Sequence, residues 1–408
     1  NVSQDAGLAI NNTMAQNHVQ ANNFTSSGNI TLDGEEGSAD ITVRNTLNIT
    51  GGNVTAQNGD LESFDTVNIS GGTLDLKKES DISGLNGVNL TGGSISVDNG
   101  EIWSLGDINF NGSNARIDNL GIVSTSIDGL DSVFGEQSEP ATAGNINITK
   151  GTVTAGNTLF LTKGKISVSG EGVLNVESGK TMYTSKEQIP DGNEVVINNK
   201  GEINLTNTGT INLSGKLVSD ISGDGNLNVK TSSASVDGNV SGSNLTFDVD
   251  HSLSKAISGT IGDLASLNVN KDTLTYDKQT GKIGSLNVAG GLDIGTNTIN
   301  AANVNFADNS TLGLKVASAD NYGQIKANTI NIGSDTTMKV TLDSGAVANG
   351  ESKSFNFLQG NVTGDFTNKI ADNNRYNISF EDGSFKITGT ATASDVVADA
   401  GGSANNAK

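Results

Sequence analysis

Leu47-Asn-Ile49-Thr-Gly-Gly-Asn-Val54 is followed by Val67-Asn-Ile69-Ser-Gly-Gly-Thr-Leu74, Val88-Asn-Leu90-Thr-Gly-Gly-Ser-Ile95 and Ile108-Asn-Phe110-Asn-Gly-Ser-Asn-Ala115. Successive copies start 20, 21 and 20 residues apart. Aliphatic residues flank an Asn in each copy, and side chains alternate across a strand, so Leu47 and Ile49 point one way and Asn48 the other. Gly51 and Gly52 supply the backbone freedom a sharp corner needs, and Val54 opens a second short strand. One such unit cannot bury its apolar face alone. Stacked units place each Leu, Val or Ile over its equivalent and make a narrow continuous core. The expected fold is all-β: a right-handed parallel β-helix, a solenoid, closed by a C-terminal β capping segment.

The aliphatic-Asn-aliphatic (or aromatic) triplet recurs at Ile146–Ile148, Leu174–Val176, Ile203–Leu205, Ile211–Leu213, Leu227–Val229, Leu267–Val269, Leu286–Val288, Val304–Phe306 and Ile330–Ile332, thirteen in all. Identical outward amides at the rung spacing can stack as a ladder. Many of the Asn-x-Ser/Thr triplets, such as Asn48-Ile-Thr50, follow from the same strand pattern, which is preferred here to glycosylation.

Composition agrees with a thin core. Of 408 residues only 34% are hydrophobic and 4% aromatic, a level that also suits disorder. Disordered segments, however, do not hold aliphatics at period-2 positions over hundreds of residues. The net charge of −21 repels nucleic acid and anionic lipid, so no nucleic-acid partner is expected, and the charge is read as solubility for a long exposed surface. There is no Cys, hence no disulfide framework or thiolate metal site. No run of 18 apolar residues occurs, so no helix is expected to span a membrane. The N-terminus has no signal-like segment, which fits a cytosolic protein or one whose signal has been removed.

The expected organisation is an N-terminal cap over residues 1–28, a parallel β-helix over 29–315, a capping segment over 316–389 and a small-residue linker over 390–408. Insertions near 119–144 and 182–194 each hold one of the two prolines, Pro140 and Pro190, which belong in loops or at edges. Loops on repeat proteins often carry binding function. Asp128, Asp131, Phe134 and Glu136 are the candidate binding residues, in the first insertion. Five of the twelve Phe lie between Phe355 and Phe385, joined by Tyr376, and suggest a thicker, better-packed terminal segment, in which Phe357 or Phe380, if inward, would be costly to truncate.

Signals for chemistry are sparse. The two histidines are His18 and His251, too few for a nucleophilic triad or a zinc site. Asp248 and Asp250 share a strand face and could form a carboxylate pair or calcium ligands, but a solvated face is the commoner fate of such a pair. Trp103 suits a carbohydrate platform less well than a partly buried core position. No catalytic residue, metal or cofactor is expected.

The repeat with Gly-Gly corners, the bulkier end and the small-residue tail resemble the passenger domains of Gram-negative autotransporters. The likeness is closest in Tyr322-Gly-Gln-Ile325-Lys-Ala-Asn-Thr-Ile330-Asn-Ile332, Met338-Lys-Val-Thr-Leu342, Ser354-Phe-Asn-Phe-Leu-Gln-Gly360, Gly364-Asp-Phe366, Tyr376-Asn-Ile-Ser-Phe380 and Phe385-Lys-Ile387. The specific part covers about the last 75 residues. Large β-helical adhesins exported through a separate barrel protein share the repeat style. The resemblance implies a C-terminal folding nucleus, an outer-membrane barrel in the precursor or as a separate protein, and a place on the cell surface or outside the cell. The function it implies is attachment, as an adhesin or stalk with a surface glycan or protein ligand and possible self-association. A filament subunit and a carbohydrate-active β-helix enzyme are the alternatives.

Overall fold

The computed structural model describes residues 1–12, 19–34, 39–119, 121–124, 144–162, 164–185, 201–250, 257–276, 281–372, 375–381 and 384–390. Among the described residues the chain is all-β, with no helix. It forms two compact units, Asn1–Val240 with Ala256–Gly259, and Ser241–Lys255 with Thr260–Lys408.

In the first unit, each of the first three copies of the repeat is three short strands. Thr46–Ile49, Asn53–Gln57 and Leu61–Ser63 are followed by Thr66–Ile69, Thr73–Lys77 and Ile82–Gly84, then Gly87–Leu90, Ser94–Asp98 and Ile102–Ser104. Every strand pairs in parallel with its equivalent one repeat later: Leu47 opposite Val67, Leu74 opposite Ile95, Ile82 opposite Ile102. Leu47, Ile49, Val54, Leu61, Val67, Ile69, Leu74 and Leu76 are fully buried, as the alternation requires. The third strands belong to a parallel sheet of ten, from Val19–Ala21 to Ser235–Asp237.

The corner depends on the second glycine of each pair. Gly52, Gly72 and Gly93 have φ of 77°, 90° and 83°, a region where a Cβ is strained. A Cβ on Gly72 would also lie 2.5 Å from the Gly52 carbonyl oxygen. In the fourth copy Asn111-Gly-Ser113 replaces Thr-Gly-Gly, and the two strands fuse into Asp107–Asp118.

Strands already occur within the first 28 residues. Gly7–Asn12, Val19–Ala21 and Phe24–Ser26 already pair in parallel with Asn29–Gly34, Ile41–Val43 and Thr46–Ile49. Both expected insertions also begin with strand. Gly121–Ser124 pairs with Thr158–Thr162, and Met182 is buried within Thr181–Ser185. Gly121–Ser124 keeps the parallel register of its neighbours, and Met182 and Thr184 follow their inward alternation.

In the second unit Ile261–Val269, Lys282–Val288, Thr298–Phe306, Gln324–Ile332 and Leu358–Thr363 stack in parallel. Thr273–Thr275, Gly291–Asp293, Thr311–Val316, Thr337–Leu342 and Asn368–Ala371 form a five-stranded parallel sheet. The chain then changes style. Ser352–Phe355, Ser384–Gly389 and Tyr376–Glu381 make an antiparallel three-stranded sheet. Phe355 and Phe357 stack at 5.6 Å, Phe357 lies 5.3 Å from Phe385, and Tyr322 meets both Phe355 and Phe357 edge-on. Of Phe357 and Phe380, the former is inward and the latter is 39% exposed. Phe380 pairs with Phe385 across the sheet, where it covers the outer side of the buried ring at a centroid distance of 4.9 Å.

Candidate functional site

Asp128, Asp131, Phe134 and Glu136, the expected binding residues, lie outside the described residues, as do His18, His251, Pro140 and Pro190. What the structure brings together instead are polar columns. A parallel register puts like residues one strand spacing apart, so a side chain that both donates and accepts can bond to its own copy.

Asparagine does this on one face of the first unit. Asn68 Nδ2 donates to Asn48 Oδ1 at 3.0 Å, Asn89 to Asn68 at 2.9 Å, Asn109 to Asn89 at 3.0 Å and Asn147 to Asn109 at 2.9 Å. A second run joins Asn175, Asn212 and Asn228. In the second unit Asn268 donates to Asp248 and Asn287 to Asn268, while Asn270 donates to Asp250. The expected amide ladder is therefore made, and Asp248 and Asp250 act as acceptors within such columns.

The column that composition alone did not announce is acidic. Asp40, Asp60, Asp81 and Glu101 each stand just before a strand of the ten-stranded sheet. The backbone N–H of Asp60 donates to Asp40 Oδ1 at 3.1 Å, that of Asp81 to Asp60 Oδ1 at 2.8 Å and that of Glu101 to Asp81 Oδ1 at 2.7 Å. Asp40, Asp60 and Asp81 thus each satisfy the N–H of the next repeat. Burial, then the neighbouring charge of Asp81, pushes the Asp60 carboxyl up to about 8, with Asp40 and Glu62 adding to the rise. Burial and Asp81 push Glu101 up to about 7, and burial pushes Asp81 to about 6 although the Glu101 N–H opposes it. Burial is the main cause in all three, and the like charge of Asp81 adds to it at Asp60 and Glu101, which keep protons further towards neutrality than Asp81 does. The spacing of 20, 21 and 20 residues between them was the available signal, and it is the period of the Asn triplets.

A contrasting cluster lies later in the first unit. Asp118, 8% exposed, accepts from the Asn157 N–H at 2.9 Å and from Lys180 Nζ at 3.1 Å. Arg116 bridges Asp118 and Glu177 at 3.2 and 2.9 Å. Burial works to raise the Asp118 carboxyl, but the Asn157 N–H, Lys180 and Arg116 outweigh it and hold it below the usual carboxylate range.

Trp103 is 6% exposed, yet it is not in the inner core. Ile102 and Ser104 take the inward positions of its strand, so Trp103 faces the other side, against Leu161, Leu85, Leu105 and Leu159. Among the described residues no group of three His, Cys, Asp or Glu is arranged to hold a metal ion. Comparison of the chain with known family models, with characterised proteins and with solved structures returns no match.

Proposed function

We propose that this chain is a right-handed parallel β-helix acting as the stalk-like, surface-displayed part of a bacterial attachment protein of the autotransporter passenger type. It attaches to a surface glycan or protein without a catalytic centre or cofactor, and an outer-membrane barrel, in its precursor or as a separate protein, exports it. The observation that supports this reading most is where the polar side chains go. The Asn48–Asn147 column spends its donors and acceptors on the neighbouring repeats, an arrangement that serves length and register rather than turnover. An export route that passes an unfolded chain also suits a fold assembled from local repeats and lacking Cys. The test is display of the chain, fused to an outer-membrane barrel, on a non-adherent Gram-negative host. Susceptibility to added protease and increased attachment to other cells or coated surfaces are expected; a chain retained inside, or displayed with no gain in attachment, would sink the reading.

One observation favours a second reading, a carbohydrate-active enzyme. Stacked carboxyls that titrate near neutrality, Asp60, Asp81 and Glu101, are the groups that general acid catalysis of glycoside cleavage uses. Release of reducing ends from a polysaccharide panel by the native chain, abolished in Asp60→Asn or Asp81→Asn, would establish it.

A further inference from the structure

The second unit carries a groove of a different character. The strands Lys282–Val288, Thr298–Phe306 and Gln324–Ile332 bend along their length: Ile283 and Leu286, Ile299 and Val304, and Ile325 and Ile330 are all inward, three or five residues apart. An odd separation means that the alternation slips between them. Beside the bends, an open groove of about 740 Å³ is lined by Asp263, Lys282, Asn300, Lys326, Asn328 and Gln359, with small residues at Gly281, Ala301 and Ala327. The register stacks Lys282 on Asn300, Asn300 on Lys326 and Lys326 on Gln359.

On a chain with a net charge of −21, two exposed lysines in one groove are a local reversal of sign. Neither makes an ion pair among the described residues. The acid in the lining, Asp263, already uses Oδ1 to accept the Lys282 N–H at 2.7 Å. Two strand spacings separate the lysine backbones, roughly 9.5 Å, which matches the advance of a disaccharide in an extended β-linked chain. The Asn328 amide offers a hydroxyl-binding donor and acceptor beside them, and Gln359 Oε1 an acceptor. Gln359 is held in place by donating Nε2 to Gln324 Oε1 at 2.9 Å.

We propose that this groove binds a linear acidic polysaccharide with a carboxylate on alternate sugars, one carboxylate at Lys282 and the next at Lys326. The amides read the sugar between them, and the surrounding negative surface turns away polyanions of higher charge density, nucleic acid included. The inference rests on the attachment reading for its setting but not for the binding itself. A chain that binds the polysaccharide yet is not displayed on cells keeps the groove and loses that reading, and the converse result does the reverse.

The experiment is calorimetry or fluorescence titration of the whole chain with hyaluronate oligosaccharides of two, four and six sugars, at low and physiological ionic strength. Affinity is expected to rise from two sugars to four, when the second carboxylate reaches the second lysine, and to fall with added salt. Lys282→Gln combined with Lys326→Gln should weaken tetrasaccharide binding by about tenfold at low ionic strength. The double Arg variant should stay within about twofold of native, and Lys271→Gln, outside the groove, should match native. Resistance of each variant to proteolysis checks that it is folded. No binding by the native chain, equal binding by the double Gln variant, equal binding of neutral dextran, or tighter binding of a single-stranded oligonucleotide would each overturn the proposal.

Discussion

Between Thr46 and Ile102 the buried hydrophobic side chains are Leu, Val, Ile and Ala, and the strands are three to five residues long. Between Phe355 and Phe385 the buried side chains include Phe355, Phe357, Phe366 and Phe385, in ring contacts of 5.3 to 5.6 Å. The first region has little apolar area per residue, and aliphatic side chains of similar size tolerate a slip of register. Its positional information comes instead from the Asn and Asp columns and from the left-handed glycines. The second has large rings with one good arrangement, and packing alone can set its register, even for antiparallel strands. Register in this chain is thus specified by polar groups where the core is thin and by shape where it is thick.

The largest effect should come from the thick region. Phe357 is fully buried and touches Tyr322, Phe355 and Phe385, so Phe357→Ala should cost about 3–5 kcal/mol locally. Phe380→Ala, at a position 39% exposed, should cost under about 1.5 kcal/mol. Limited proteolysis and hydrogen exchange within the second unit would read both. Equal losses for the two variants would mean that shape is not what organises this segment.

In the thin region the sharpest disruption should come from a glycine. Gly72→Ala combines a φ of 90° with a Cβ 2.5 Å from the Gly52 carbonyl oxygen, for a cost of about 2–3 kcal/mol. Gly71, without the positive φ, would still meet the Thr50 oxygen at 2.6 Å, so Gly71→Ala should also destabilise, but less. Hydrogen exchange of the Thr66–Lys77 amides would check the order, and a harmless Gly72→Ala would show that these corners are not where register is held.

Legibility in the sequence followed the same divide. The Gly-Gly corners, the inward Leu47 and Ile49, and the outward Asn ladder were readable, because a period-2 pattern repeated every 20 residues leaves one consistent assignment. The acidic column was not read, although Asp40, Asp60, Asp81 and Glu101 keep the same spacing, since single carboxylates in turn segments look like ordinary surface charge. Which of Phe357 and Phe380 lies inside could not be read, because an aromatic residue in a cluster gives no sign of which side of a sheet it covers; Phe385, the partner of Phe380, takes the inside. The lysine groove could not be anticipated, because Lys282 and Lys326 are 44 residues apart and meet only through pairings on either side of Asn300.

The acidic column makes the thin region pH-dependent. Asp60 titrates at about 8 in the folded chain against an ordinary 3.8, and Glu101 at about 7. The folded state therefore holds protons that the unfolded chain has released. Stability from this source is fully present below about pH 4 and is lost as pH rises through about 8. With allowance for solvent screening at a half-buried corner, the loss should be about 1–2 kcal/mol for the repeats from Asp40 to Glu101. Asp118 carries the opposite sign: its lowered carboxyl contributes stability above the usual carboxylate range that is lost as pH falls. Urea unfolding at pH 3, 5 and 8.5, followed by exchange at each site, should show the acidic column weakening from pH 5 to pH 8.5 and the Asp118 site weakening from pH 5 to pH 3. Asp60→Asn, which keeps an oxygen for the Asp81 N–H, should flatten the alkaline loss; an unchanged pH profile in that variant would refute the assignment.

The smallest effect belongs to the amide ladder, and it separates a bonded column from a decorative one. Asn68 donates to Asn48 and accepts from Asn89, and its side chain is half-buried, so water can replace part of what Asn68→Ala removes. A loss of about 1 kcal/mol is expected. Asn68→Asp is the sharper variant, for it preserves shape and still accepts from Asn89 but places a carboxylate oxygen against Asn48 Oδ1, with no proton between them. Asp248 shows that a carboxylate serves such a column as an acceptor for the next Asn; the interior position needs a donor as well. Asn68→Asp should therefore destabilise more than Asn68→Ala at neutral pH and recover as the carboxylate is protonated in acid. A double-mutant cycle between Asn68 and Asn89 should show coupling of about 0.5–1 kcal/mol. If Asp proves no worse than Ala and the pair uncoupled, the asparagines merely occupy the outer face, and the register of the thin region rests on its glycines and backbone pairing alone.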